Sequence, residues 1–352
     1  MLFIVGCEGQ SQRYRVDNIA AGLREMGFNA VIVKRYQICL LNLRLPPKVV
    51  VVFRYDDCDR GLTSILLNLK RRDVTLVADY DDLVFELDII QQIEMYRCLP
   101  AWGQENYRQG VRGYLQVLAQ CDKGTASTPY LARSMEKFIG KTAVIPNTLN
   151  GEQMNLANII CAQAQIKRNK GCLMILYASG TYTHQTDFEQ CAQALAKFMG
   201  QRPEARFLLV GLLDLPQCFA DLQNRIERKP ILPYQQLLAV TAEADINLAP
   251  LEKTSFNDAK SELKIFEAGV VRVPTIASPS DSYARFIENG VDGFLAETEG
   301  DWYRALCILA DDPELRKSMG EKARAKALVK CDYRDAAVMA ADFYGLNVGR
   351  RQ

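Results

Sequence analysis

An α/β architecture of two doubly wound parallel-sheet domains is what this sequence predicts, on three observations. Short apolar strands alternate with amphipathic helical stretches, the grammar of parallel sheets joined by crossover helices. The strand–loop–helix–strand unit that opens the chain starts again near Leu173. The length, 352 residues, corresponds to two domains of about 150 residues each.

Composition narrows the class. The hydrophobic share is 49% and the charged share 24%, enough apolar material for a large core, which excludes disorder over most of the length. Lys plus Arg (43) nearly balances Asp plus Glu (42), so there is no broad cationic footprint and no nucleic-acid partner is expected. The eleven cysteines include no C-x-x-C pair, and with a single histidine a metal site is not expected. Thiols in a reducing compartment are the simpler reading. The opening MLFIVG reads as a strand, not a signal peptide, and no apolar run reaches the length of a membrane span. A cytoplasmic protein is expected, with peripheral association at the cytoplasmic face of a membrane left open.

Within residues 1–150, Leu2 to Val5 is a strand and Gly6 to Gln12 a loop. Val16, Ile19, Ala20 and Leu23 recur at helical spacing, Gly27 ends that helix, and Ala30 to Val33 is the next strand. Buried strands follow at Val49 to Phe53 and Val74 to Ala78. Between them lies a helix with Ile65, Leu66 and Leu69, ending in Lys70, Arg71 and Arg72. Those cations suit a helix C-terminus and, secondarily, anionic lipid. A short strand around Val144-Ile145-Pro146-Asn147 closes the domain. The polar stretch 151–170, ending Lys167-Arg168-Asn169-Lys170, reads as an interdomain connection. The second domain, 151–333, carries strands at Leu173 to Ala178, Arg206 to Val210, Ile246 to Leu248 and Thr275 to Ala277. Its first helix has Phe188, Cys191, Ala192, Leu195, Phe198 and Met199 on one face. A last helix within 334–352, about Asp335 to Tyr344, is expected to cross back to the first domain. Ligands in such sheets bind outside the carboxyl ends of the strands, so two sheets facing across a cleft suit transfer of a group from donor to acceptor.

The stretch Leu248 to Ala296 is the most informative. A helix beginning near Ala259 puts Lys260, Lys264 and Glu267 at i, i+4 and i+7 on one face. Ser261 falls in its first turn, where unpaired N–H groups and the helix dipole favour phosphate. The lysines can neutralise a diphosphate and Glu267 can accept from ribose hydroxyls; a solvated charged face fits the same spacing. Asp79-Tyr80-Asp81-Asp82 sits at a strand's carboxyl end. There Asp81 and Asp82 can bind an acceptor hydroxyl or take its proton, or simply interact with a helix N-terminus. His184, the sole histidine, follows the Ser179-Gly180-Thr181 turn and can donate to phosphate or a sugar hydroxyl. Gly6-Cys7-Glu8-Gly9 lacks the full G-x-G-x-x-G, which argues against an NAD enzyme.

Glu267-Ala268-Gly269 through Pro274-Thr275-Ile276-Ala277, with Ile287, Asn289-Gly290, Gly293 and Leu295, resembles the donor-binding region of retaining GT-B glycosyltransferases. The resemblance is to the family four, or glycosyl transferases group 1, type. Ile145-Pro146-Asn147, Ile231-Leu232-Pro233-Tyr234 and Arg13-Tyr14-Arg15-Val16 resemble further strings of that family, so the likeness runs from Leu2 to about Ala327. Strings such as Ser179-Gly180-Thr181-Tyr182-Thr183-His184 resemble a divergent branch associated with cell-surface polysaccharide assembly. The resemblance implies two Rossmann-like domains, acceptor-binding and donor-binding in that order, and sugar transfer with retention from a nucleotide sugar. The acceptor would be a glycan, a lipid-linked group or a protein, with no metal or other cofactor. It implies ribose on Glu267, the base near Leu232, and diphosphate near Ser179, Gly180, Thr181, Lys260, Ser261 and Lys264. It puts the acceptor near Arg13, Tyr14 and Asp79, with Asp81, Asp82 and His184 as catalytic candidates. The sequence departs from the family at Ala259, where the family carries its first Glu, and at Thr181 and Thr186, where it carries Arg and Lys. These departures support an alternative, a non-catalytic GT-B scaffold or specificity subunit. A sugar-nucleotide epimerase of the same fold is a third option.

Overall fold

The computed structural model describes residues 1–40, 45–58, 61–167, 171–180 and 184–346. Two compact units emerge: Met1–Asn150 with Ala259–Ser261 and the chain from Cys331 onward, and Gly151–Asp258 with Glu262–Lys330.

The strands of the first unit are β1 (Leu2–Val5), β2 (Val31–Lys34), β3 (Val49–Phe53), β4 (Thr75–Tyr80), β5 (Lys123–Ala126) and β6 (Thr142–Val144). They form one six-stranded sheet in the order β2-β1-β3-β4-β5-β6, with every pairing parallel. The run VVVVF of β3 is buried at every position, as expected of a parallel strand covered on both faces. Val51 sits between Phe3 and Val77. Helices α1 (Asn18–Glu25), α2 (Gly61–Lys70), α3 (Ala101–Gln120) and α4 (Pro129–Glu136) flank the sheet. The last starts cleanly because Pro129 occupies its first turn and the Thr128 hydroxyl accepts from the Leu131 N–H.

A π-helical turn, Arg13–Asp17, precedes α1 and holds Tyr14, Arg15 and Val16 in the interior. Arg15 is 2% exposed and Asp79 also 2%. Arg15 Nε donates to Asp79 Oδ1 at 3.0 Å and Nη2 to Oδ2 at 2.7 Å, the two-pronged geometry that favours Arg. Arg15 Nη1 donates to the Ile145 carbonyl and, at 3.3 Å, to Asn147 Oδ1. The Thr125 hydroxyl donates to Asp79 Oδ2 at 2.6 Å.

In the second unit, α5 (Gly151–Lys167) precedes β7 (Leu173–Gly180), α6 (Gln185–Gln201), β8 (Ala205–Gly211), β9 (Ile226–Lys229), α7 (Tyr234–Ala242) and β10 (Ile246–Ala249). Then come α8 (Leu263–Val270), β11 (Thr275–Ala277), α9 (Asp281–Phe286), β12 (Gly293–Leu295), α10 (Glu299–Asp311) and α11 (Pro313–Lys330). The strands make a second six-stranded sheet, β12-β11-β10-β7-β8-β9, again all parallel. Its core is aromatic, with Phe188 stacked on Phe207 at 5.7 Å between ring centroids and Tyr177 5.1 Å from Phe188.

Residues 151–167 are helix rather than connection, which corrects the sequence reading. Gln153, Ala157, Ile160 and Cys161 are buried at i, i+4, i+7 and i+8, one helix face. A glutamine and an alanine in that stripe conceal its period. Arg168, Asn169 and Lys170 lie outside the described residues.

The final helix, α12 (Tyr333–Tyr344), packs on α1: a Cβ on Gly22 would lie 2.5 Å from the Ala337 Cβ. Ala336, Ala337, Ala340 and Ala341 are buried there with Ile19 and Leu23.

Removing Asp79 leaves a sealed, unpaired guanidinium. Asp79→Ala is expected to destabilise the first unit by about 3–5 kcal/mol, read as a lower urea midpoint. An unchanged midpoint would mean that water or another residue compensates Arg15.

Candidate active site

In each sheet the strand order reverses once, between β1 and β3 in the first and between β7 and β10 in the second. Ligands in doubly wound sheets bind at the carboxyl ends of the strands on either side of such a reversal. The candidate chemistry of each unit gathers there.

In the second unit, β7 pairs with β8 through a register shift between Ala178 and Gly180. Gly180 and Gly211 both take positive φ, 75° and 101°, and a Cβ on Gly211 would meet the Gly180 backbone at 2.6 Å. Only glycine fits that crossing. The buried Ser179 hydroxyl donates to the Leu212 carbonyl at 3.0 Å, so it holds the turn in shape. Thr181 lies outside the described residues. His184 stands at the start of α6, its Nδ1 2.8 Å from Asp187 Oδ2. Asp187 Oδ1 accepts from the Glu252 N–H at 2.8 Å and from Asn257 Nδ2 at 2.9 Å. One buried carboxylate therefore joins the segments that follow β7 and β10. Asp258 Oδ1 accepts from the Asp281 N–H at 3.1 Å, at the start of α9.

The helix carrying Glu267 begins at Leu263, after an N-cap at Glu262, not near Ala259. This corrects two expectations. Ser261 precedes the first turn, and its hydroxyl accepts from Asn147 Nδ2 at 2.8 Å. Lys260 shares no helix face with Lys264; it belongs to the first unit, where its charge acts on Asp82. Lys264 and Glu267 do share α8, and both line a small open pocket with Ala178, Tyr234 and Asn247. Lys264 Nζ lies 4.9 Å from the centre of the Tyr177 ring, a cation–π arrangement. Leu232 is half-buried in the segment that leads into α7, two residues before the cavity-lining Tyr234. Burial pushes the Glu262 carboxyl up to about 7.

At the first unit's reversal, Arg54 follows β3 with φ 39°. A Cβ on Gly6 would lie 2.3 Å from the Arg54 carbonyl oxygen, so the glycine after β1 admits this turn. Arg54 Nη1 donates to Asp81 Oδ1 at 3.1 Å and to Asp82 Oδ2 at 3.0 Å. Burial raises the Asp82 carboxyl, as does the Asp81 charge; Arg54 and Lys260 pull it down. Tyr107 and Tyr114 are both pushed up to about 12 by burial, and the charge of Arg54 acts on each. Asp81 and Asp82 thus come together on Arg54, with the charge of Lys260 acting on Asp82. Asp79 and Tyr14 do not join them: Asp79 is committed to Arg15 and Thr125, and Tyr14 is 2% exposed. These two are corrected from acceptor-binding to interior residues. Arg13 is half-buried on the π-turn, donating to Gln10 Oε1 at 2.6 Å. Among the described residues no group of three or more His, Cys, Asp or Glu is arranged to hold a metal ion.

Sequence reasoning passed over Asp187, Glu262 and Arg54. Asp187 carried a signal, a His-x-x-Asp spacing at a helix start. Arg54 and Glu262 carried none, because what defines them lies in burial and in partners distant along the chain. A half-buried acid raised to about 7 has a measurable consequence. With the native carboxyl raised above its unfolded value of 4.5, its stabilising contribution is complete below about 4.5 and is lost as pH rises through about 7. Glu262→Gln should therefore gain melting temperature relative to the parent chain between those pH values, on the order of a few degrees. A pH-independent difference would refute the burial of that charge.

Residues 188–340, less than half of the chain, match a family model described as Glycosyl transferase-like. D-inositol 3-phosphate glycosyltransferase of Corynebacterium kroppenstedtii is 31% identical over 146 residues, 37% of this chain. The match spans about a third of that relative's length, 31%. Sucrose-phosphate synthase from Thermosynechococcus elongatus has a TM-score of 0.67 at 14% identity, covering 98% of each chain. Anabaena HepE, solved with UDP and glucose, has a TM-score of 0.65 at 13% identity, covering 98% of this chain and 99% of that one. WaaG, a glycosyltransferase involved in lipopolysaccharide biosynthesis, has a TM-score of 0.63 at 14% identity, covering 99% and 100%. The two six-stranded parallel sheets and their likeness to these structures give the chain the GT-B fold, and residues 188–340 are similar to the glycosyl transferase-like family.

Proposed function

We propose that the chain is a nucleotide-sugar-dependent glycosyltransferase acting in cell-surface polysaccharide or glycoconjugate biosynthesis. The observation that carries this reading is the pairing of Lys264 and Glu267 on one cavity of the second unit, inside the segment matched as glycosyl transferase-like. Glu267 accepts from the ribose hydroxyls. Lys264, His184 and the backbone at Gly180 meet the diphosphate. The segment around Leu232 meets the base. The transferred sugar leaves the diphosphate as an acceptor hydroxyl, of a glycan, a lipid-linked group or a protein, bonds to its anomeric carbon with retention. Cationic groups fixed near the departing diphosphate lower that barrier. The acceptor belongs with Asp81 and Asp82 on the first unit, where a carboxylate can receive the hydroxyl proton. No metal enters the proposal, because side chains supply the positive charge. A cytoplasmic setting, with peripheral membrane contact where the acceptor is lipid-linked, completes it.

Ala259, buried where the resembled family carries a Glu, favours a second reading, a non-catalytic GT-B scaffold. Isothermal titration with UDP, GDP and dTDP separates the two. UDP comes first, since it is bound in HepE. The enzyme reading expects one nucleotide to bind and its sugar conjugate to be slowly hydrolysed; failure of all three to bind would leave the scaffold. Glu267→Ala should abolish transfer with the fold intact by circular dichroism. Lys264→Ala should weaken the nucleotide about ten- to a hundredfold, in line with the roughly 1.5–3 kcal/mol of a hydrogen bond to a charged group. Full affinity in either variant would remove that residue from the site.

A further inference from the structure

We propose that Asp187 is a positioning residue of the donor site, fixing the His184 ring through its Nδ1–H so that, in the imidazolium, Nε2–H donates to the donor's diphosphate. The inference rests on the donor reading given above. Asp187 is 3% exposed, and among the described residues its carboxylate faces three donors. Oδ1 takes the Glu252 N–H and the Asn257 amide, and Oδ2 lies 2.8 Å from His184 Nδ1. An ionised carboxylate only accepts hydrogen bonds, so the nitrogen facing it must carry the proton. The ring partner of that nitrogen, Nε2, then either accepts or, in the imidazolium, donates to an anion. The His184 side chain is 21% exposed against 4% for Asp187, so the ring reaches the surface while the group that orients it is sealed. Both sit where α6 begins beside the β7–β10 reversal. The first turn of α6 favours a carboxylate at that place. Glu252 and Asn257 follow β10, so the same carboxylate that sets the ring also sets the neighbouring segment.

A side chain acting only as a helix and loop staple would give a different response, because the chain has one histidine and its imidazole can be observed alone. In the 15N-labelled full chain, long-range ¹H–¹⁵N spectra should show Nδ1 protonated. Saturation with whichever of UDP, GDP or dTDP binds should move the Nε2 resonance. In Asp187→Asn the amide oxygen stays with the two N–H donors of Glu252 and Asn257. Its NH₂ then faces Nδ1, which must accept, so the ring is expected to be held as the neutral Nε2–H tautomer, without the positive charge the diphosphate would meet. Asp187→Asn and His184→Ala should each weaken nucleotide binding about tenfold, and the double variant no more than either one. The inference is overturned by an Nε2–H tautomer in the parent chain, by an unmoved Nε2 in a nucleotide-saturated sample, or by additive losses. The first two arms need no variant, so a poorly folded Asp187→Asn leaves the test standing. Failure of every nucleotide to bind would instead overturn the donor reading, and with it the role of His184.

Discussion

A guanidinium and a carboxylate withdrawn together from water hold the first unit in register. Arg15 comes from the π-turn ahead of α1, Asp79 from β4, Thr125 from β5, and Ile145 and Asn147 from beyond β6. Desolvating two charges is expensive, and the cost is offset only when the geometry and the accessory hydrogen bonds are good. Here the pairing is bidentate, and the remaining donors of Arg15 find a carbonyl and an amide oxygen. The residues after Asp79 inherit their placement from it: β4 is fixed as far as Tyr80, and Asp81 and Asp82 must emerge beside Arg54. The interior ion pair is thus what presents the acidic pair, two residues along, at the sheet's carboxyl end.

The two units solve the same problem in parallel. In each, a glycine at the carboxyl end of a central strand pair lets backbone approach backbone: Gly6 against Arg54 in one, Gly211 against Gly180 in the other. In each, a charged group then ties together segments that leave different strands, Arg54 reaching Asp81 and Asp82, and Asp187 reaching His184, Glu252 and Asn257. Elements that are distant in sequence meet at the reversal because parallel strands end on the same edge. The side chains gathered there are therefore held by secondary structure rather than by their own loops.

That geometry also explains what could be read in advance. Strands β1, β3 and β7 announce themselves as apolar runs because both their faces are covered. The edge and near-edge strands β5, β9 and β12, with sequences KGTA, IERK and GFL, are too short or too polar to stand out. The Lys264–Glu267 spacing was legible because both lie on one helix. The start of that helix was not, since the Ala259–Glu262 stretch suits a turn, a cap or a first coil equally. Asp79 and Tyr14 looked like surface chemistry because sequence records charge and hydroxyls but not depth. Asp187 has its amide partners 65 and 70 residues away, beyond the reach of local pattern.

The closing helix α12 has a consequence for how the molecule is made. The apolar face of α1 is completed by Ala336, Ala337, Ala340 and Ala341, residues translated long after Asn150. At a synthesis rate of about 5–20 residues per second, a nascent first unit waits on the order of ten seconds or more with that face bare. All six strands of the second sheet leave the ribosome during this interval. The half that begins first is the half that finishes last, because α1 is covered only when the closing helix arrives.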